Sequence, residues 1–216
     1  MHGLFGGFQE NWAEATRTIL AGSHLPDVEH GDGEVRAHVT RSSATDGSTE
    51  AEELFYLAVV AARERLWLTA AYFAPRSAFV DALVDAAGRG VDVQLLVNGS
   101  TGDKDVVRQA GRRSYQALLQ GGVRIHEYER TMLHAKIMTM DGTFATVGSI
   151  NMDNRSMAIN DELNLSVLDA TVTRELDEQF VRDVADAREI DLDRWRRRSR
   201  VTRAKEHLGG AAREVL

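Results

Sequence analysis

The residues whose types and spacing could support chemistry lie close together in the sequence, between positions 134 and 162. His134 and Lys136 are two residues apart, so on a strand both side chains would point to the same face. Ser149 and Asn151 repeat this spacing where a second apolar run ends, and Glu162 stands on a third. Brought together at a sheet edge, they would supply an imidazole, an amine, a carboxylate and several hydrogen-bond donors.

This set of groups suits phosphoryl transfer. Attack on a phosphodiester requires a nucleophile, and it requires positive or hydrogen-bonding groups that stabilise charge on the equatorial oxygens. A neutral His134 could attack phosphorus while the phosphate oxygens are held by Lys136, Ser149 and Asn151. A nucleophilic imidazole must present the right tautomer, and Glu162 is the candidate carboxylate for holding it.

Each of these residues also has a purely structural interpretation. A single histidine on a strand is more often a packing or surface residue, Lys136 could be solvated, and Ser149 could simply end a strand. Asp141 precedes Gly142 between two apolar runs, and an Asp-Gly pair is a strong hairpin signal because both residues tolerate positive φ. The sequence therefore favours a structural role for Asp141, and only the joint spacing of the other residues favours catalysis.

The hydrophobic pattern predicts an α/β domain around these residues. Expected strands cover residues 35–39, 66–73, 91–97, 123–128, 133–140, 143–147 and 159–168, and expected helices cover residues 8–20, 50–65, 77–88, 106–120 and 172–188. Because strands alternate with helices, we expect a mixed, largely parallel sheet flanked by helices, with an antiparallel hairpin carrying the reactive residues. An N-terminal helix and linker (1–34) would precede the catalytic domain (35–190), and a basic tail (191–216) would follow it.

Composition excludes several classes of protein. The 216 residues include no cysteine, which rules out disulfides and thiolate metal sites. No apolar run approaches the roughly 18–20 residues that a membrane span requires. The first residues have neither the basic region nor the apolar region of a signal peptide.

The charge is distributed unevenly along the chain. Residues 1–193 carry 18 basic and 31 acidic side chains, whereas residues 194–205 hold 7 of the 26 basic ones. The acidic body disfavours general nucleic-acid binding. A block of like charge is most often solvated, but this one also fits docking on an anionic membrane surface through Trp195, Arg196, Arg197 and Arg198.

The pattern His134-x-Lys136-x4-Asp141-x6-Gly-Ser149-x-Asn151 resembles the signature of the phospholipase D superfamily. The resemblance extends to segments at residues 8–12, 72–75, 86–93, 121–128, 151–156, 160–164 and 191–196, which are similar to the C-terminal half of bacterial cardiolipin synthases. It implies an α-β-α sandwich and phosphatidyl transfer through a phosphohistidine, with no cofactor and no metal. The catalytic residues implied are His134, Lys136, Asp141 and Glu162, and Ser149 and Asn151 would bind the substrate phosphate.

The resemblance also implies partners and a location. The substrate would be a phospholipid similar to phosphatidylglycerol, with no specific nucleic acid. The protein would be cytoplasmic and peripheral at the inner face of the cell membrane, and this chain would contain no transmembrane segment. Its acceptor would be a lipid hydroxyl in a synthase, or water in a phospholipase.

The sequence departs from the family pattern in having one motif. In the family two motifs meet at one active site, where one histidine attacks and the other protonates the leaving alcohol. The six other histidines lack a lysine two residues on: His2, His24, His30, His38, His126 and His207. The first half of typical cardiolipin synthases and their membrane-spanning N-terminus have no counterpart, and Ala71 replaces the usual proline.

Two explanations remain open for the single motif. Either the chain is the C-terminal part of a longer enzyme, or two copies pair around a twofold axis and each contributes one motif. The alternative functions are a metal-independent phosphodiesterase or nuclease that acts as a homodimer, and an inactive half-domain that binds phosphate or a partner.

Overall fold

A computed structural model describes residues 2–22, 33–43, 50–102 and 105–198. The helices in these ranges are α1 (His2–Thr16), α2 (Glu50–Ala61), α3 (Ser77–Gly88), α4 (Asp105–Arg112), α5 (Tyr115–Gln120), α6 (Asn154–Ala158), α7 (Ala170–Ala185) and α8 (Leu192–Arg196). The strands are β1 (Arg36–Ser42), β2 (Arg65–Ala70), β3 (Phe73–Ala74), β4 (Asp92–Asn98), β5 (Arg124–Tyr128), β6 (Lys136–Met140), β7 (Phe144–Gly148), β8 (Met152–Asp153), β9 (Glu162–Leu168) and β10 (Ala187–Glu189).

Eight of these strands form one mixed sheet with the order β1-β9-β7-β6-β2-β4-β5-β10. Within the described residues, β2 pairs with β4 and β4 with β5 in parallel, and the other neighbouring strands pair antiparallel. The predicted mixed sheet flanked by helices is therefore confirmed, but the prediction that it is largely parallel is wrong. Helical crossovers connect only β2, β4 and β5, whereas hairpins and edge strands supply the remainder.

Helices cover both faces of the sheet. On one face, α2, α3 and α5 bury Phe55, Leu83 and Leu118 in the main core. On the other face, Phe180 of α7 stacks on Trp67 of β2, with ring centroids 5.0 Å apart. Helix α1 packs over β1 and β9. No helix in the described ranges is both long enough and apolar enough to cross a bilayer.

The strand directions bring several strand ends to one edge of the sheet, which we call the motif edge. The parallel strands β2 and β4 end there at Ala70 and Asn98. Strand β6 starts there, because Lys136 pairs with Ala70 in the antiparallel register. Strand β7 ends there at Gly148, which pairs with Asn164 near the start of β9. The β6–β7 turn consequently lies at the opposite edge.

The predicted helix at residues 106–120 is divided into α4 and α5. The N–H and hydroxyl of Ser114 both donate to the carbonyl of Gly111, at 3.0 and 2.7 Å, so a side chain takes up a backbone acceptor where α4 ends. Gly111 itself packs against β3, since a Cβ at this position would lie 1.8 Å from the Phe73 carbonyl oxygen.

Other element boundaries differ from the predicted ones. Helix α1 begins before residue 8 and ends before residue 20, and α2 stops at Ala61. The expected strand at 133–140 begins only at Lys136, and the expected strand at 159–168 begins at Glu162. The domain limits at residues 34 and 190 remain predictions. The basic tail from residue 199 onward, like the linker at 23–32, lies outside the described residues.

Candidate active site

Two short strands assemble the loops that follow β2 and β7 at the motif edge. Strand β3 pairs in parallel with β8, so Phe73 lies beside Met152. The N–H of Met152 also donates to the carbonyl of Tyr72 at 3.1 Å. These contacts fix the segment containing Ser149 and Asn151 beside the segment that follows β2.

His134 lies in an irregular segment immediately before β6, and its side chain is exposed. Its ring meets the ring of Tyr72 edge to face, with centroids 6.0 Å apart. Its backbone carbonyl accepts a hydrogen bond from the Lys136 amine at 2.9 Å. The prediction that His134 and Lys136 share one strand face is therefore wrong, because the strand starts at Lys136. The two residues are nevertheless brought together.

Lys136 is buried although it carries a charged amine. Burying an ammonium group is costly unless it is hydrogen-bonded, and the His134 carbonyl supplies one such partner. This arrangement holds a positive charge next to the backbone of the candidate nucleophile.

The Gly148–Ser149 segment is held against β9. Ser149 donates its N–H to the Leu163 carbonyl at 3.0 Å, and its hydroxyl accepts from the Leu163 N–H at 3.0 Å. Gly148 is required for this approach, because a Cβ there would lie 2.0 Å from the Asn164 side-chain oxygen. Ser149 is exposed at the motif edge, and its hydroxyl also donates to the Leu163 carbonyl at 3.5 Å.

Asn151 is buried beside α6. Its amide nitrogen donates to the Ser156 hydroxyl at 3.2 Å, whereas its amide oxygen is buried with no partner among the described residues. An amide oxygen accepts hydrogen bonds and cannot donate to a phosphate oxygen, so the binding of substrate phosphate by Asn151 stays a prediction.

Glu162 lies at the motif edge but does not reach His134. Its carboxylate accepts a hydrogen bond from the Asn160 amide at 3.2 Å, whereas the His134 ring packs on Tyr72. Within the part of the chain that the structure describes, the expected hydrogen bond between Glu162 and His134 is not formed. A role for Glu162 in holding the tautomer of the same chain's His134 is therefore not supported by this arrangement.

Asp141 is separated from His134 by the whole length of β6, about 17 Å for five residues. It sits at the β6–β7 turn with a φ of 49°. Its carboxylate accepts from the backbone N–H groups of Arg63, Glu64 and Arg65, with shortest distances of 3.0, 2.9 and 3.0 Å. A direct catalytic role for Asp141, which the family signature implies, is contradicted by this placement. The carboxylate instead fixes the loop between α2 and β2.

The pKa of Asp141 reflects this environment. Burial alone would raise the pKa of this carboxyl group, but the N–H donors of Arg65, Glu64 and Arg63 outweigh it and lower the pKa below its usual range. The ionised form is therefore the one that the fold stabilises.

A groove of about 590 Å³ separates α1 from the start of β9 and adjoins the motif edge. Ser149 and Glu162 are among the residues that line it. Four of its lining side chains are acidic and one is basic, namely Glu10, Glu14, Asp161, Glu162 and Arg41. Arg41 is bonded to Glu10 at 2.6 Å, so the groove is negative overall and does not match a nucleic-acid backbone.

The predicted membrane contact through Trp195 is wrong. Trp195 is only 3% exposed, because α8 packs its indole against Tyr115 with ring centroids 5.0 Å apart and against the Arg112 guanidinium. The side chain belongs to the core and is not available to lipid. Arg196 and Arg197 are exposed and Arg198 is half-buried, so their contact with a membrane remains a prediction.

Two residues near His134 were not expected from the sequence. Tyr72 forms the wall against which the imidazole packs. Asn98 is buried at the carboxyl end of β4, where its amide bonds to the backbone next to His134. The available signal was a polar residue at the end of a parallel strand, since ligands of α/β sheets gather at carboxyl ends.

Comparison with known proteins first defines the class. The structure superimposes on Nuc from Salmonella typhimurium, a phospholipase D family member, with a TM-score of 0.63 and 20% sequence identity. The match covers 73% of this chain and 99% of that one. At this identity the likeness shows a shared fold alone.

The sequence then identifies the family. Residues 58–184 match the family described as cardiolipin synthase, PLD-like domain, and the chain belongs to that family. It is 31% identical over 203 residues to a cardiolipin synthase of Geobacillus sp. (strain WCH70), covering 93% of this chain and 40% of that protein. It is 36% identical over 202 residues to cardiolipin synthase A of Pseudomonas syringae pv. syringae (strain B728a), covering 94% and 41%. The chain thus spans about two fifths of the length of these relatives.

Proposed function

We propose that this chain carries half of the active site of a cardiolipin synthase-like phosphatidyltransferase. The observation that carries the proposal is the exposed His134 imidazole at the motif edge, with the Lys136 amine bonded to the carbonyl of the same residue. The 31% and 36% identities to cardiolipin synthases support phospholipids as the substrate class.

The proposed reaction proceeds through a phosphohistidine. A nitrogen of neutral His134 attacks phosphorus, a P–N bond forms, and the P–O bond to the leaving alcohol breaks. The leaving oxygen takes a proton from a general acid. A hydroxyl of the acceptor lipid then attacks phosphorus, loses its proton to the same group and displaces the imidazole. Lys136 and the Ser149 hydroxyl stabilise the negative oxygens in both steps.

The general acid would come from a second motif. His134 is the one histidine in the sequence that has a lysine two residues later. We propose that the second motif is supplied either by another copy of this chain or by a longer polypeptide of which this is a part. An isolated subunit would bind phosphate but transfer the phosphatidyl group slowly, since general acid catalysis typically contributes about 10²–10⁴-fold.

Location and partners follow from the same reasoning. We propose that the protein acts on phosphatidylglycerol-like lipids at the inner face of the cell membrane, held there by the exposed charges of Arg196 and Arg197. The alternative substrate, a nucleic acid, is disfavoured because its polyanionic backbone does not match the acidic groove beside Ser149.

The experiment is incubation with phosphatidylglycerol vesicles in EDTA, with the oligomeric state measured by light scattering in the same buffer. We expect cardiolipin and glycerol, or phosphatidic acid, to form with the wild type and not with His134→Ala. Cleavage of DNA in EDTA that depends on His134, without lipid turnover, would replace the proposal by the homodimeric nuclease. A dimer inactive on both substrates would support the inactive half-domain, because the proposal itself expects only an isolated subunit to be slow.

A further inference from the structure

The backbone that carries His134 has no strand partner. Residues 129–135 form neither helix nor strand, and β6 begins only at Lys136. A nucleophile in an irregular segment must be fixed by other contacts if it is to hold an attack geometry, because a displacement of about 1 Å can cost about 10² in rate. One such contact is the bond from the Lys136 amine to the His134 carbonyl.

Asn98 supplies the other contacts. Its amide oxygen accepts from the Leu133 N–H at 2.7 Å, and its amide nitrogen donates to the Leu133 carbonyl at 2.8 Å. The same nitrogen donates to the Ala71 carbonyl at 2.8 Å. One side chain therefore satisfies both backbone groups of the residue before His134 and ties them to the end of β2.

This pattern reproduces with a side chain what a neighbouring strand would provide with its backbone. The amide of asparagine has the one acceptor and two donors that the three bonds require. Aspartate has the same shape but no donor, so the Ala71 and Leu133 carbonyls would face a carboxylate without a hydrogen bond. Asn98 is 6% exposed, and water is largely kept from substituting for it.

We propose that Asn98 is a positioning residue for the nucleophile, which it holds by clamping the Leu133 backbone between β4 and the end of β2. This inference rests on the proposed function for its catalytic consequence. The clamp itself is a structural claim about Leu133 and can be measured without turnover.

The test compares Asn98→Ala with Gln94→Ala. Gln94 is a matched control because it is a buried amide on the same strand, 7% exposed, with its bonds to Asp92 and His126 instead of the motif edge. We expect Asn98→Ala to lower kcat for phosphatidyl transfer about 10²-fold with little change in KM, and Gln94→Ala to leave both near wild type. Amide exchange at Leu133 should be slow in the wild type and in Gln94→Ala, and fast in Asn98→Ala.

A second variant acts on the clamp without removing it. A Cβ at Gly102 would lie 3.2 Å from the Asn98 Cβ, so Gly102→Ala should displace the Asn98 amide. We expect this variant to lower kcat and to speed amide exchange at Leu133, each by a smaller factor than Asn98→Ala. Gly102→Ala replaces Asn98→Ala in the test if Asn98→Ala does not fold.

Slow Leu133 exchange in Asn98→Ala, or an unchanged kcat, would overturn the proposal. If Asn98→Ala does not fold, the proposal would be overturned by a Gly102→Ala variant whose kcat and Leu133 exchange rate equal those of the wild type. A wild type that turns over no phosphodiester would refute the proposed function instead, and the exchange measurement would still decide whether the clamp exists.

Discussion

Replacing Asp141 separates a structural role from a catalytic one. The family signature includes this residue, yet its carboxylate lies at the turn opposite the motif edge and accepts three backbone N–H groups. We expect Asp141→Ala and Asp141→Asn to reduce the free energy of unfolding and to leave kcat per folded molecule close to wild type, because neither change touches His134.

The magnitude follows from the lost contacts. The Arg65 N–H is part-buried, and leaving it without an acceptor costs about 1–3 kcal/mol. The N–H groups of Arg63 and Glu64 are exposed and can turn to water, so each contributes about 0.5–1.5 kcal/mol. Alanine at the positive φ of this turn adds about 1–2 kcal/mol. We therefore expect a loss of about 3–8 kcal/mol for alanine, and about 1–2 kcal/mol for asparagine, which keeps one acceptor.

The pH dependence provides an independent check. The folded pKa of Asp141 is lowered, and the unfolded value is about 3.9. A group with a lowered pKa contributes stability that is present above the unfolded value and is lost as the pH falls through the folded value. The wild type should therefore lose this contribution below about pH 4, and Asp141→Asn should not show that part of the loss.

The assay is urea unfolding of the wild type and both variants at pH 7 and across the acid range, together with kcat corrected for the folded fraction. A variant with wild-type stability and a much lower kcat would refute the reasoning, since it would place Asp141 in the chemistry. Equal stability of all three proteins would refute the hydrogen-bond account of the turn.

Three other predictions concern residues away from the motif edge. Burial lowers the pKa of His126, so its contribution to stability should disappear as the pH falls from about 6.5, and urea titrations of His126→Gln should lack this step. Glu127 is fully buried and pairs with Arg112 and Arg188. Glu127→Gln should therefore lower the free energy of unfolding by about 3–5 kcal/mol, as urea unfolding would measure. Trp195→Ala should lower the melting temperature and the free energy of unfolding, the latter by about 3–5 kcal/mol, without weakening binding to anionic vesicles. Arg197→Ala should instead weaken that binding and leave stability unchanged.

The sequence predicted most of the elements, and of the candidate site it predicted that His134 and Lys136 lie together. Apolar periodicity located the central strands, and the Asp141-Gly142 pair located the hairpin because positive φ is required at both positions. The structure supports the structural interpretation of Asp141, as a turn residue. The motif spacing also identified His134 and Lys136, which do lie together.

Other features depend on contacts between distant segments and could not be predicted from local patterns. Strands β1 and β9 join the sheet antiparallel because of long-range pairing, which reduces its parallel character. Trp195 has the sequence context of a basic surface tail, yet packing on Tyr115 buries it. The Asn98 amide likewise bonds to backbone groups 27 and 35 residues away, a contact that no local pattern indicates.

The most direct test of the central claim is the covalent state of His134 during turnover. The protein would be mixed with a short-chain phosphatidylglycerol, quenched rapidly at neutral pH and digested, and the peptide containing His134 would be weighed by mass spectrometry. We predict a phosphatidyl group on His134 that is absent from His134→Gln and disappears when an acceptor alcohol is added. Turnover without an adduct, or an adduct on any other residue, would contradict the account.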